Sequence, residues 1–345
     1  LYILDPSKYT EKEEILEELK SYNKAEIYIL PERMDMKLQI ISDIYDKIKN
    51  YNAGKAFIHT SADGAFGVLL WTLFPQIKKY RIVPGDHHFY LGVNITDYAI
   101  EFREFGIYTS IFKRGLKKEQ IILQPYYPVY RKFNFSGLPQ SLIEGNKILI
   151  FSGGATYKIL DKNNTYLKLI KGILDRYSNV NFAYVGNDIN NVFSNFIKSN
   201  GYEERFFVLG FRKDFIEIML RSDIYMGTFP FIGGLMCQYA ALLKKPILQY
   251  FPNDNSDGIE SVLSVKGAKI SCRSIDEFNN YTHKLLTNRD FRIEEGNRNF
   301  ELIITPETFN ENLYKQVFEK KNEIKIMHIT QLYFEEKVDW YLNIA

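Results

Sequence analysis

Residues 148–158 read Ile-Leu-Ile-Phe-Ser-Gly-Gly-Ala-Thr-Tyr-Lys, an apolar strand that breaks at Gly153-Gly154 and is followed, four residues past the second glycine, by Lys158. A unit built this way suits a bound phosphate. Strand ends in open α/β sheets face the ligand crevice, glycines let the backbone approach the ligand, and a nearby lysine supplies positive charge. A second glycine pair, Gly233-Gly234, lies between an expected strand at Asp223 to Thr228 and an expected helix at Leu235 to Leu243. Two such elements in one half of a chain point to a single nucleotide diphosphate. The pattern matches neither a Walker A loop nor a GxGxxG fingerprint, which removes two rival nucleotide-binding classes.

Working outward from this stretch, strands and helices alternate along the whole chain. In the first half the strand patterns are Tyr2 to Leu4, Glu26 to Leu30, Ala56 to His59, Tyr80 to Val83, Tyr98 to Phe102 and Ile121 to Gln124. Helical patterns fall between them at Glu11 to Tyr22, Met36 to Asn50, Ala65 to Phe74 and Glu104 to Arg114; the first opens with Thr10 and Glu13 at capping-box spacing. The second half repeats the rhythm, with strands at Lys147 to Ser152, Val180 to Val185, Arg205 to Leu209, Asp223 to Met226 and Pro246 to Tyr250. Its helices are read at Thr165 to Tyr177, Val192 to Lys198, Asp214 to Leu220 and Leu235 to Leu243. Short β-rich runs separated by helices make a mostly parallel sheet in each half.

The Pro, Tyr, Gly and Ser content between Pro125 and Asn146 breaks this rhythm. The expected organisation is a first α/β domain at 1–130, a linker at 131–146, a second α/β domain at 147–318 and a C-terminal helix at 319–345 that crosses back to the first domain. The chain opens on Leu1 instead of methionine, from which a missing N-terminal piece is expected. At 345 residues each domain is large enough to bury its own core.

Composition narrows the partners. A formal net charge of +2 gives no reason to expect a nucleic acid or another polyanion as the main partner. Cys237 and Cys272 lie far apart with no metal or redox spacing, which fits a reducing compartment. The longest apolar run, Phe66 to Phe74, is far short of the ~20 residues that a membrane helix needs, and no signal sequence is visible. A cytoplasmic location is the expectation. The basic, aromatic segment Tyr126 to Phe133 suits peripheral contact with a membrane surface or an anionic glycan, and equally a linker packed against both domains.

The runs FSGGATYKILDKNNTYLKLIKGILDRYSNVNFAYVG, LGFRKDFIEIMLRSDIYMGTFPFIGG and AALLKKPIL resemble the donor domain of GT-B glycosyltransferases. The resemblance is closest to the O-linked N-acetylglucosamine transferases and the bacterial cytoplasmic protein N-glucosyltransferases. Upstream, FIHTSADGAF resembles the histidine-bearing strand end of that family's acceptor domain, and GDHHFYLG resembles a segment of many bacterial GT-B enzymes. The resemblance spans roughly His59 to Leu248. It implies the GT-B fold: two Rossmann-like, doubly wound α/β domains facing across a cleft, an acceptor-side domain followed by a nucleotide-sugar donor domain.

Carried over residue by residue, the resemblance makes Lys158 the lysine that contacts the donor diphosphate. Gly233, Gly234 and Leu235 become the loop and helix start whose amides hold it, and His59 a histidine close to the reaction centre. Three departures stand out. Where relatives place an acid near the ribose this chain has Tyr239, with Gln238 beside it as the ribose contact. The paired glutamates that mark many retaining relatives have no counterpart at the matching place, which favours inversion. The helical repeats of eukaryotic relatives are not in this sequence, which weakens the case for a protein acceptor.

The expected function is therefore transfer of a hexose or N-acetylhexosamine from a nucleotide sugar, UDP-linked, to a saccharide or protein acceptor. Lys158 and the Gly233-Gly234 helix start would neutralise the leaving diphosphate, with Gly153 and Gly154 lining it. No D-x-D triplet occurs, so no metal and no cofactor is expected. The acceptor proton would go to His59, Asp63 or His87, which sit with Asp86 and His88 at or just past carboxyl ends of first-domain strands. Each has a simpler competitor: His59 as a strand cap, Asp63-Gly64 as a helix-start turn, the Asp86-His87-His88 run as a metal site. Arg212 and Lys213 read as a charged helix start on the surface. Two other classes remain open, a nucleotide-sugar epimerase of the same fold and a non-catalytic subunit that recognises a glycosylated partner.

Overall fold

The strand Val180–Val185 is buried at every residue. So is almost all of Ile148–Gly153 beside it. Runs of this kind form where a parallel sheet is covered on both faces. The computed structural model describes residues 1–4, 12–31, 37–59, 64–83, 85–86, 89–252, 258–263, 270–319, 335 and 338. Of the expected residues, Thr10, Asp63, His87, His88 and nearly all of the 319–345 tail lie outside these.

In chain order the described strands and helices are β1 (Tyr2–Leu4), α1 (Lys12–Lys20), β2 (Ile27–Ile29), α2 (Lys37–Tyr51), β3 (Lys55–Ile58), α3 (Ala65–Thr72), β4 (Lys78–Ile82) and β5 (Tyr98–Glu101). They continue with α4 (Glu104–Phe112), β6 (Ile121–Leu123), α5 (Gln140–Ile143), β7 (Ile148–Gly153), α6 (Thr165–Arg176), β8 (Val180–Val185), α7 (Val192–Asn200), β9 (Phe206–Val208) and α8 (Phe215–Arg221). The last are β10 (Ile224–Met226), α9 (Gly234–Leu242), β11 (Ile247–Leu248), α10 (Ile259–Val262), α11 (Ile275–Thr287), α12 (Arg289–Glu301) and α13 (Pro306–Phe318). The sheets run in the orders β1-β2, β3-β4-β5-β6 and β11-β10-β7-β8-β9. Contacts divide the chain into Leu1–Ile100 and Glu101–Ala345.

In the first unit, β3 pairs with β4 and β4 with β5, both parallel, with Ile58 opposite Arg81 and Ile82 opposite Ile100. Helix α2 covers this sheet because Ile40, Ile44 and Ile48 recur every four residues and form one buried stripe against Ala56, Leu70, Phe74 and Ile77. The expected single first-domain sheet is two among the described residues. Strands β1 and β2 pair only with each other there, and join the rest through Ile3, Tyr28 and Leu30 packed against the α2 core.

The second unit has a parallel five-stranded sheet with β7 in its middle, paired to β8 on one side and β10 on the other. Chain order runs away from β7 in both directions, so its carboxyl end is the switch point of a doubly wound sheet. Alternate residues feed opposite cores. Ile150, Phe182, Tyr184 and Met226 face α6, while Phe151, Ala183, Val185 and Tyr225 pack with Cys237 and Ala240 of α9. No helix of the described residues is long and apolar enough to cross a membrane.

Three helices beyond β11 have start signals that the strand-helix rhythm did not isolate. Ser274 caps α11 by accepting the Glu277 amide, Asn288 caps α12, and Thr305 caps α13 ahead of Pro306. Removing the first cap with Ser274→Ala should destabilise the protein by about 1 kcal/mol, read as a lower denaturation midpoint at unchanged slope.

Candidate functional site

At the switch point β7 ends on the two glycines, and β8 explains both. A β-carbon on Gly153 would lie 2.8 Å from the Val185 carbonyl oxygen, so only hydrogen fits there. Gly154 has φ +152, a conformation that side chains oppose. Its amide donates to Val185 O at 2.9 Å and its carbonyl accepts the Tyr184 hydroxyl at 3.0 Å. Both backbone groups of Gly154 are thus engaged inside the protein. What the loop leaves for an anion are the amides of Ala155, Thr156 and Tyr157, which have no partner among the described residues. Successive open amides at a strand end form a concavity suited to oxyanions.

One 3-10 turn, Thr156–Ile159, then carries Lys158. The turn is fastened by the Thr156 hydroxyl, which donates to the Asn187 carbonyl. Lys158 is half-buried, and its ammonium makes no ion pair or hydrogen bond among the described residues. Burial holds its pKa below the ordinary 10.5; the neighbouring Cys237 opposes this and the Arg103 guanidinium adds to it.

The second glycine pair lies beside the first. The Phe231 amide donates to the Lys158 carbonyl at 3.3 Å, and the Phe231 carbonyl accepts the buried Thr228 hydroxyl at 2.6 Å. These bonds tie the loop after β10 to the lysine turn. The loop leads into α9, whose cap residue is Gly233. No side chain caps this end, and the first turn holds no acid. The amides of Gly234, Leu235 and Met236 have no partner among the described residues. Gly234 is set by packing, since a β-carbon there would come within 3.2 Å of Val262 on α10. Leu235 is exposed. An open helix start offers free donors and the positive end of the dipole.

The ribose contact expected of Gln238 meets a different setting. Gln238 is buried, and its amide nitrogen donates to the Tyr126 carbonyl at 2.9 Å and the Val262 carbonyl at 3.4 Å. Only its Oε1 remains for a ligand. Tyr239 turns the other way, its hydroxyl donating to the Val129 carbonyl at 3.2 Å. Segment 126–133 is accordingly held by protein: Tyr126 stacks on Phe102 with ring centroids 4.8 Å apart, and the Tyr130 hydroxyl donates to Glu217 at 2.9 Å. Arg212 is spent on Asp214, with bonds of 2.7 and 2.6 Å, and on the Gly137 carbonyl. That pairing holds the Asp214 carboxyl down at about 2.

In the first unit His59 directly follows β3 and is exposed. Burial of the rest of the ring, and then the Arg81 charge, lower its pKa below the ordinary 6.5. The neutral imidazole is the form that accepts a proton. Asp86, the described member of the Asp-His-His run, is buried. Asp63 and His87 lie outside the described residues.

Residues that motif reading passed over are Tyr184, Gly186 and Tyr225. Gly186 ends β8 at φ +156, where a β-carbon would lie 2.2 Å from the Gly154 carbonyl oxygen. Its signal was present in the sequence as a glycine closing the second of three consecutive strands, after Gly153-Gly154 and before Gly210.

No protein-family model and no curated protein sequence matches the chain. Solved structures do. The Anabaena protein HepE, in complex with UDP and glucose, superposes at TM-score 0.61 over 91% of this chain and 90% of its own, with 13% identity. A mutant of the Thermobaculum terrenum O-GlcNAc transferase reaches 0.59 over 91% of this chain and 65% of its own, at 12% identity. The UDP-GlcNAc 2-epimerase of Neisseria meningitidis, bound to UDP-GlcNAc, reaches 0.53 over 91% of each chain at 13% identity. The chain has the GT-B fold. In this GT-B chain the Lys158 turn and the α9 start both belong to the second unit, Glu101–Ala345.

Proposed function

We propose that this GT-B protein is a glycosyltransferase that takes a hexose or N-acetylhexosamine from a UDP-sugar and passes it to a saccharide or protein acceptor. The observation that carries the reading is a half-buried lysine without a counter-ion among the described residues, bonded through its own carbonyl to the loop that opens an uncapped helix. A cation and free amides on adjoining turns are the kind of groups a departing diphosphate requires as charge builds on it. The structural neighbours include proteins solved with UDP and with UDP-GlcNAc. In this reading transfer proceeds with inversion and without a metal, the positive charge coming from Lys158 and the α9 dipole. His59 accepts the proton of the attacking hydroxyl or amide.

Binding of UDP, followed by calorimetry without added metal, tests the donor assignment; sugar transfer to candidate acceptors tests the rest. Failure of the wild-type protein to bind any of UDP, GDP, CDP or ADP would remove the reading. A second reading is favoured by neighbours that are UDP-GlcNAc 2-epimerases covering nearly the whole chain. Conversion of UDP-GlcNAc to its 2-epimer with no acceptor present, followed by proton NMR, separates the two.

The lysine also sets a pH dependence. In the free protein its pKa is depressed, and a bound diphosphate restores the charge, so binding takes up protons at alkaline pH. UDP affinity is therefore full at neutral pH and falls as pH rises through the depressed value, below 10.5. Dissociation constants measured from about pH 7 to about pH 10 should show this limb in wild type and none in Lys158→Ala.

A further inference from the structure

Arg103 lies just past β5 and directly precedes α4. That place usually carries a side chain that accepts a helix amide, and Arg103 gives α4 no such cap. Its charge also meets the positive end of the helix dipole, which Glu104 in the first turn suits and an arginine does not. Two rings hold it there nonetheless: the guanidinium carbon lies 5.7 Å from the Phe102 ring centroid and 5.5 Å from that of Phe105. Ring faces attract a cation, and a guanidinium is a fork of several N–H donors, enough to grip an anion beside any other contact it makes.

The same contacts lead to α9. Phe102 stacks on Tyr126, with ring centroids 4.8 Å apart, and the Tyr126 carbonyl accepts the Gln238 side-chain amide at 2.9 Å. Gln238 lies one turn past Gly234, where the open amides of α9 begin. Lys158 meets α9 at the adjacent residue, since its charge acts on the Cys237 thiol. Arg103 in turn acts on Lys158 with a charge of the same sign. Cys237 offers no counter-charge, because burial pushes its thiol up to about 12 and keeps it neutral at physiological pH. Both cations are half-buried and so keep some surface open to solvent, and Tyr157 and Leu235, next to Lys158 and Gly234 in the chain, are exposed. Two cations held near each other against their repulsion, beside a helix start that carries no acid, suit a ligand with more than one negative charge.

We propose that Arg103 is a second cation of the donor site, its guanidinium fork donating hydrogen bonds to oxygens of the same diphosphate that Lys158 and the first turn of α9 receive. This rests on the reading of that turn as a diphosphate site. The two cations differ in kind. Lysine is a point charge, whereas the planar fork matches phosphate oxygens in pairs, so Arg103 contributes orientation as well as charge.

The test is calorimetric titration of UDP into wild type, Arg103→Gln and Arg103→Lys, each from low to high potassium chloride, with the melting temperature of each ligand-free protein to establish folding. At low salt Arg103→Gln should bind UDP about tenfold more weakly or worse, as for lost hydrogen bonds between charged groups. Its affinity should also fall less steeply with salt, because one cation fewer is there to be screened. Arg103→Lys keeps the charge and loses the fork, so its affinity should lie between those of wild type and Arg103→Gln, with the wild-type salt dependence. UDP affinity equal to wild type in the variants that fold would overturn the proposal and leave the diphosphate reading intact. Weaker binding in Arg103→Gln with an unchanged salt dependence would make Arg103 a packing residue and overturn it too. Absence of UDP binding in wild type would instead defeat the diphosphate reading itself.

Discussion

Replacing Lys158 by alanine should lower turnover of a UDP-sugar by about a hundredfold or more, the loss expected when one fixed donor to a developing negative charge is removed. The lysine is half-buried and makes no ion pair among the described residues, so removing it breaks no salt bridge and leaves no stranded carboxylate there. Stability should hold or rise. Burial depresses the lysine pKa in the folded protein, so its charge opposes folding fully below that value and progressively less as pH rises from there to 10.5. Loss of activity with an unchanged or higher melting temperature is the signature. Turnover within a few-fold of wild type would remove Lys158 from the chemistry.

His59→Ala should lower kcat by about a hundredfold to ten-thousandfold if the imidazole takes the acceptor proton, with UDP affinity unchanged. The separation matters because Lys158→Ala weakens both. The pH profile has a definite sign: a base must be neutral, and burial together with Arg81 lowers the His59 pKa, so activity persists below pH 6.5 and is lost as pH falls through the lowered value. Steady-state rates across this range show an acid limb in wild type that is missing from His59→Ala. An unchanged kcat would return His59 to the role of a strand cap.

The second unit was largely legible because its strands are apolar on both faces and its breaks are glycines. Val180–Val185 is read from the sequence with its observed limits, and the other strands of its sheet deviate only at their ends, where ladder pairing stops a residue or two early or late. The helices after β11 were less legible. Helix α12 carries Arg, Asp, Glu and Asn on most faces, so apolar spacing hardly marks it, though its cap Asn288 does. The separate pairing of β1 with β2 was not foreseeable, since strand partnership depends on which edge a three-residue strand reaches, and periodicity holds no record of that.

In the site, the lysine and the α9 start were legible because charge and helix polarity belong to the residues themselves. The work of Gly153, Gly154 and Gly186 was not, because it answers to Val185 and Tyr184 across the ladder. Gln238 shows the same limit: the resemblance placed it beside the ribose, and nothing in the sequence showed that its amide nitrogen bonds to carbonyls 112 and 24 residues away.

The hydrogen bond from the Phe231 amide to the Lys158 carbonyl joins the lysine's own peptide to the loop that starts α9. The backbone that carries the lysine and the backbone that opens α9 are thereby held side by side. If, as proposed, the diphosphate takes one phosphate on the lysine and the other on the helix start, a nucleotide with a single phosphate forfeits one of the two, so UMP should release from this protein far more readily than UDP even though both carry the same base.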